Sequence, residues 1–149
     1  MGVTRLTGPA FSGAARILDE YRQHYGANPA PEAAQAWLRE QVESGRIRVW
    51  LAGDHEAICT VAVIPAALTL RTVWLVRDLY VRPESRRQGL AKALLMAVEE
   101  EARASGAHRI SLQTETTNVR AIALYEETGV RKVTEVTVMD EVLPPHEPS

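Results

Sequence analysis

A short run rich in arginine and glycine constrains this chain more than any other feature of its sequence. Residues 86–91 read Arg-Arg-Gln-Gly-Leu-Ala. They follow a strand-like stretch that ends at Val81, and a long helical pattern begins within them near Gly89. The first N–H groups of a helix have no partner within the helix, and the helix dipole places partial positive charge there. Gly89 lets an anion approach the backbone closely, and Arg86 and Arg87 add formal charge beside it. The run therefore predicts a phosphate-binding turn between a strand and a helix.

The composition of this turn excludes two common phosphate sites. A Walker loop needs Gly-x-x-x-x-Gly-Lys-Ser/Thr, and the dinucleotide fingerprint needs three spaced glycines; the run has neither. It matches instead the Arg/Gln-x-x-Gly-x-Gly/Ala pyrophosphate motif, with Ala91 at the position of the second glycine.

Two longer segments extend this match to a known family. Residues 78–95 (Asp-Leu-Tyr-Val-Arg-Pro-Glu-Ser-Arg-Arg-Gln-Gly-Leu-Ala-Lys-Ala-Leu-Leu) resemble the central motif of the GNAT superfamily of acetyl-CoA-dependent N-acetyltransferases. Residues 118–130 resemble its second motif, Asn-x-x-Ala-x-x-Leu-Tyr-Glu-x-x-Gly-Phe, with Val130 at the usual aromatic position. The two motifs stand in the expected order and spacing. The resemblance implies the α/β GNAT fold, a mixed central β-sheet flanked by α-helices.

The resemblance also implies acetyl-CoA as the co-substrate, bound without a metal. Its pyrophosphate would bind at the turn, and its pantetheine arm would bind the main chain of the strand before the turn. Asn118 either contacts the pantetheine side or caps its own helix, since Asn is a favoured N-cap residue. The residues expected at the cofactor are Leu79, Tyr80, Val81, Arg86, Arg87, Gln88, Gly89, Leu90, Ala91, Lys92, Asn118 and Ala121.

Tyr125 and Asp78 are the candidate catalytic residues. Acetyl transfer to an amine needs a neutral nucleophile, a polarised thioester carbonyl and a proton donor for the departing thiolate. In the family, a tyrosine at the position of Tyr125 approaches the CoA sulfur; the alternative is that its ring only packs beneath the sheet. Asp78 would attract the ammonium group or relay its proton; the alternative is a surface aspartate or one in an ion pair, for example with Arg71 or Arg77.

The acceptor is predicted less directly than the cofactor. The Asp-Leu-Tyr-Val arrangement resembles small-amine and diamine acetyltransferases, and His24, Tyr25 and Glu115 are the other candidates for acceptor binding. We expect an enzyme that transfers acetyl to a primary amine of a small molecule by direct attack. The alternatives are a catalytically weak acyl-CoA-binding module and an acetyltransferase of protein or peptide amines. A homodimer, as in many relatives, is a further expectation.

The bulk properties of the 149-residue chain are those of one small domain, expected over residues 1–143 with a loose tail at 144–149. The formal net charge of −2 favours neither nucleic acid nor an anionic membrane as partner. There is no apolar run of the ~18–20 residues that a membrane span needs, and no signal-peptide core. We therefore expect a cytoplasmic protein. Cys59, the one cysteine, lies in an apolar strand pattern and is expected to be an inert core thiol.

Hydrophobic periodicity and glycine or proline breaks predict alternating helices and strands. Helices are expected at Phe11–Tyr25, Pro31–Glu43, Gly89–Ser105 and Asn118–Thr128. Strands are expected at Gly2–Leu6, Arg48–Ala52, Glu56–Ile64, Thr72–Val81, Arg109–Thr114 and Lys132–Val142.

Overall fold

The computed structural model describes residues 2–8 and 10–146. In this part of the chain, five strands form one sheet that four α-helices cover. The elements are β1 (Val3–Arg5), α1 (Phe11–His24), α2 (Pro31–Glu43), β2 (Ile47–Ala52), β3 (Ala57–Ala66), β4 (Arg71–Val81), α3 (Leu90–Ala104), β5 (Arg109–Leu112) and α4 (Val119–Glu127). A short 3-10 turn, Pro83–Ser85, follows β4.

The sheet is mixed, with the strands in chain order from β1 to β5. The pairs among β1, β2, β3 and β4 are antiparallel, and β5 is parallel to β4. Parallel neighbours need a crossover connection, and α3 supplies it. The predicted mixed sheet with flanking helices is therefore confirmed.

The two faces of the sheet pack against different helices because side chains alternate along each strand. On one face, α3 buries Leu90, Leu94 and Val98 against side chains that include Trp74 and Cys59. On the other face, α1 and α2 bury a second group of side chains against the sheet: Phe11, Ile17, Leu18, Leu38, Val49, Leu51, Ile58 and Tyr80. Burial of Cys59 on the α3 face agrees with its predicted role as a core thiol.

A β-bulge interrupts the pairing of β3 with β4. Thr60 pairs with Asp78 and Val61 pairs with Val76, so Arg77 has no partner on β3. One extra residue on one strand shifts the side-chain alternation by one position.

After the bulge, the side chains of β4 therefore point to the opposite faces of the sheet from those that the alternation before it would give. Before it, Val76 faces α3, whereas after it Tyr80 packs in the core on the α1 face. Asp78 shares that face with Tyr80, because the two are separated by two residues on a strand. Without the bulge, Asp78 would point toward α3.

Each of the four helices ends just before a glycine, where the sequence predicted that it would end. The residue after each C-cap is a glycine with positive φ: Gly26, Gly45, Gly106 and Gly129. In α4, for example, the N–H of Gly129 donates to Glu126 O and that of Val130 to Tyr125 O, which is a Schellman motif. The predicted elements before residue 130 are present with boundaries that differ by a few residues at most.

The strand predicted at Lys132–Val142 is wrong. Residues 130–146 form no regular structure, and apolar side chains along them are exposed, among them Val133, Val136, Val138, Met139, Val142 and Leu143. Alternating apolar residues favour a strand only where a second strand supplies hydrogen bonds, and no described strand pairs with this segment. Residues 144–146 of the expected C-terminal tail have no regular structure, and residues 147–149 lie outside the described part of the chain. None of the described helices combines the length and apolarity needed to cross a membrane.

Candidate functional site

The predicted phosphate-binding turn is formed by an unusual backbone at the start of α3. Arg87 and Gly89 both have positive φ, of 65° and 77°, and Gly89 is the N-cap of the helix. Among the described residues no side chain caps this end, so the first N–H groups of α3 remain available to an anion. A Cβ added at Gly89 would meet no atom within 4 Å, so the space in front of the turn is open.

This turn forms one end of a cleft of about 520 Å³. Of the twelve residues expected at the cofactor, eleven line the cleft, and Gln88 does not. The lining residues are His24, Tyr25, Leu79, Tyr80, Val81, Ser85, Arg86, Arg87, Gly89, Leu90, Ala91, Lys92, Asn118, Arg120, Ala121, Leu124 and Glu127. The motifs near residues 80–92 and 118–127 therefore meet across a single cavity.

The floor of the cleft is the free edge of β4. β5 pairs with β4 only over Val73–Val76, so no described strand pairs with the last residues of β4 on this side. On the other side, the N–H of Arg82 donates to Glu56 O at 2.9 Å. Because hydrogen bonding alternates along an antiparallel pair, the main chain of Tyr80 points toward β3, and that of Leu79 and Val81 points into the cleft. The Nε of Arg86 donates to Val81 O at 3.2 Å, which agrees with this assignment.

One wall of the cleft is formed by one side of α4, and the start of α3 forms another. Asn118, Ala121, Leu124 and Glu127 recur every three residues and all line the cleft. The Oδ1 of Asn118 accepts from the N–H of Ala121 at 3.2 Å, so Asn118 is a helix cap as well as a wall residue. Lys92 on α3 and Glu127 form an ion pair at 3.0 Å that connects the two walls.

Four aromatic rings cluster at the end of the cleft nearest α1. The ring centroids of Tyr21 and Tyr25 lie 5.2 Å apart, those of Tyr21 and Tyr80 5.8 Å, and those of His24 and Tyr25 5.1 Å. Of these four residues only Tyr21 was not predicted, although Tyr21, His24 and Tyr25 stand at the i, i+3 and i+4 spacing that places side chains on one side of a helix. Tyr25 is 75% exposed, so the cluster is open to solvent.

Asp78 lies beside this cluster and outside the lining of the cleft. Its Oδ2 accepts a hydrogen bond from the Thr60 hydroxyl, its pairing partner on β3. Burial raises the pKa of Tyr21 well above its usual value, and the facing Asp78 carboxylate raises that pKa further. Tyr21 is therefore a neutral phenol next to a carboxylate. The alternative ion pairs of Asp78 with Arg71 or Arg77 are not among the ion pairs of the described residues.

Tyr125 is half-buried against the α3-side core and does not line the cleft. Burial raises the pKa of its phenol, and the nearby Cys59 and Tyr25 raise it further. Tyr125 is therefore near Tyr25, which lines the cleft, although Tyr125 itself does not. Burial also raises the pKa of the Cys59 thiol to about 12, with a smaller contribution from Asp78.

Glu115 is not brought into the site. It is exposed, lies three residues after the end of β5, and its carbonyl accepts from the N–H of Asn118 at 3.0 Å. Conversely, Ser85, Leu124 and Glu127 line the cleft without having been predicted. Leu124 and Glu127 continue the three-residue spacing that Asn118 and Ala121 begin, and this spacing was the available signal. Within residues 2–8 and 10–146, no three His, Cys, Asp or Glu side chains group in a way that could hold a metal ion.

Comparison with known proteins agrees with this geometry. The model of the acetyltransferase (GNAT) family matches residues 14–130. The uncharacterized N-acetyltransferase YhfO of Bacillus subtilis (strain 168) is 28% identical over 123 residues, which cover 80% of this chain and 83% of the relative. The thialysine N-epsilon-acetyltransferase of Sus scrofa is 32% identical over 88 residues, or 56% of this chain and 51% of that protein. The crystal structure of a probable acetyltransferase superimposes with a TM-score of 0.87 at 27% identity, covering 99% of this chain and all of the other.

Proposed function

Because this chain belongs to the GNAT acetyltransferase family, we propose that it transfers an acetyl group from acetyl-CoA to the primary amine of a small molecule. The family makes it an acyltransferase; the acceptor and the residue roles are the proposal. The observation that carries it is one continuous cleft whose lining includes both the phosphate turn, at Gly89 and Ala91, and the side chains of His24 and Tyr25 at the end of α1. A donor held at the phosphate turn would therefore lie in the same cleft as the aromatic cluster.

The residues at the turn fit the pyrophosphate of such a donor. The open N-terminus of α3 offers backbone N–H groups, the missing Cβ of Gly89 leaves room for close approach, and Arg86, Arg87 and Lys92 supply positive charge. The cleft-facing main chain of Leu79 and Val81 is suited to the amide groups of the pantetheine arm. Their apolar side chains pack against the core on the α3 face, so both roles are compatible.

The aromatic end of the cleft fits a cationic amine. The faces of tyrosine rings attract cations, and a carboxylate beside them adds a direct charge interaction. Tyr25, Tyr80 and His24 line this end, and Asp78 lies behind them on the α1 face. The similarity to an enzyme named for the Nε amine of thialysine also supports an amine on a small molecule.

Direct attack on the thioester agrees better with the site than an acyl-enzyme does. A cysteine nucleophile acts as the thiolate, whereas burial of Cys59 keeps its thiol protonated. Tyr125, with a raised pKa, keeps its proton throughout the physiological range and so remains able to donate it to a departing thiolate. In this proposal Asp78 attracts the ammonium form and accepts its proton, directly or through water, before attack.

The proposal predicts amine-dependent release of CoA thiol. We expect the full chain with acetyl-CoA to release thiol in the presence of diamines or other small primary amines and only slowly without them. A coloured thiol reagent follows the reaction, and mass spectrometry of the acceptor checks that one acetyl group has been added. Turnover with short peptides but with none of the small amines would contradict the proposed acceptor, and binding without any turnover would contradict the proposed enzyme.

Asp78→Asn should discriminate between charged and uncharged acceptors. The asparagine keeps an acceptor for the Thr60 hydroxyl but removes the negative charge. A hydrogen bond to a charged group contributes about 1.5–3 kcal/mol, so KM for a cationic amine should rise about tenfold or more. KM for an arylamine that is uncharged at the assay pH should change less than threefold. Steady-state kinetics on the two acceptors measures the difference, and equal losses on both would make Asp78 a structural residue.

A further inference from the structure

A second cavity, of about 570 Å³, lies at the opposite end of α3 from the phosphate turn. It opens where the C-terminal ends of α3 and α4 meet the first residues of β4 and β5. Its wall includes Arg71, Arg103, His108, Arg109, Arg131 and Glu99. None of these residues lines the acetyl-transfer cleft. The cavity is therefore separate from the site of the proposed reaction.

The wall of this cavity is strongly basic, whereas the protein as a whole carries a small net negative charge. Four arginines and one glutamate give the lining a formal charge of +3, whereas the whole chain carries −2. The four arginines come from β4, α3, β5 and the segment after α4, so the fold brings them together from distant parts of the chain. Such convergence of one charge sign in a concave site raises the local concentration of anions.

Few carboxylates neutralise these arginines. Arg103 pairs with Glu99 at 2.6 Å, but the other three have no carboxylate partner among the described residues. The nearest side-chain partner of Arg109 is the His108 ring, at 3.4 Å, and Arg131 donates only to the carbonyl of Glu126, also at 3.4 Å. Most of the donors of Arg109 and Arg131 are therefore available to a ligand.

Arg71 is held in place for such a role. Its Nε donates to Gly106 O at 3.0 Å and its Nη2 to Ala107 O at 2.7 Å, which also satisfies carbonyls at the end of α3. These bonds fix the plane of the guanidinium and leave Nη1 without a partner among the described residues. A guanidinium that is already ordered loses less entropy when it binds an anion.

We propose that this cavity binds a small phosphorylated anion that carries two or more negative charges. Planar guanidinium groups bind phosphoryl oxygens through paired N–H donors, and several of them together compensate a multivalent charge. The volume accommodates a ligand larger than a single phosphate ion. Arg131 lies four residues after the end of α4 and donates to Glu126 O within it, so an anion here would also hold the end of the helix that forms one wall of the acetyl-transfer cleft.

Calorimetric titration with inorganic pyrophosphate tests this site, with free CoA at saturation so that the phosphate turn is already occupied. We expect one saturable site in the wild-type protein. The double variant R109Q/R131Q should bind pyrophosphate at least tenfold more weakly. The matched control is R16Q/R46Q, which removes two positive charges at exposed positions that line neither cavity. It should bind like the wild type.

Thermal unfolding checks that each variant is folded, and Arg131→Gln alone, expected to weaken binding at least threefold, replaces the double variant if that one unfolds. No saturable binding to the CoA-saturated wild type would overturn the proposal, and so would equal losses in the two double variants. Citrate serves as a carboxylate probe of similar charge, and tighter binding of citrate than of pyrophosphate would overturn the phosphate assignment. A failure of acetyl transfer would leave these outcomes unchanged, because none of them depends on turnover.

Discussion

Replacing Gly89 with leucine should reduce acetyl-CoA affinity at least a hundredfold while the protein remains folded. Gly89 lies at φ 77° as the N-cap of α3, and a side chain here would occupy the open space in front of the helix N-terminus. That space is where we place the pyrophosphate. Losing two charge-assisted hydrogen bonds, at about 1.5–3 kcal/mol each, corresponds to about a hundredfold or more in affinity. Calorimetric titration with acetyl-CoA measures the loss.

The substitution has a closely matched control in Gly45→Leu. Gly45 also has φ 77°, also has no atom within 4 Å of an added Cβ, and ends α2 outside the cleft. Both variants therefore force leucine into the left-handed region, at a cost of about 1–2 kcal/mol. Similar losses of thermal stability are expected in the two proteins, but a loss of acetyl-CoA affinity only in Gly89→Leu. Comparable acetyl-CoA binding by the two variants would show that the turn is not the phosphate site.

The order of helices and strands was predictable because local signals and tertiary structure agree over most of this chain. The apolar residues of α3 recur with helical spacing and face the sheet, and glycine follows each helix at its observed end. The disagreement begins after Gly129. There the alternation of Val136 and Val138 favours a strand, but a strand also needs a partner, and partners cannot be seen in a local pattern.

The sequence predicted one half of the candidate site more completely than the other. The proposed phosphate turn is contiguous in the chain, so residue types and spacing were enough to predict a turn between β4 and α3, which the structure shows. The proposed acceptor end depends on Tyr21 and Tyr80, which lie far apart in sequence and meet only when α1 packs on the sheet. The β-bulge at Arg77 decides which face Asp78 occupies, and nothing in the apolar run around it marks where the extra residue falls.

Tyr125→Phe should lower kcat at least a hundredfold and leave the Kd for acetyl-CoA within about twofold, because general acid catalysis contributes ~10²–10⁴. Phenylalanine keeps the ring that packs against the core and removes only the hydroxyl. The fall should therefore appear in kcat rather than in folding or binding. Pre-steady-state thiol release, together with calorimetric titration of acetyl-CoA, separates the chemical step from binding.

Tyr25→Phe provides the matched control, since it removes a phenolic hydroxyl from the same end of the cleft without touching the proposed acid. At saturating amine its kcat should stay within about threefold of the wild type, as it loses no proton donor, and any loss of amine binding at Tyr25 should appear in KM. The pH dependence gives an independent test. An acid acts in its protonated form, so a raised pKa of Tyr125 extends its active form to higher pH, and any alkaline loss of kcat from this group should be centred above the ordinary tyrosine pKa of about 10. An alkaline loss centred well below that pH, absent from Tyr125→Phe, would contradict the raised pKa; equal kcat values for Tyr125→Phe and the wild type would assign the proton donation to water or to another residue.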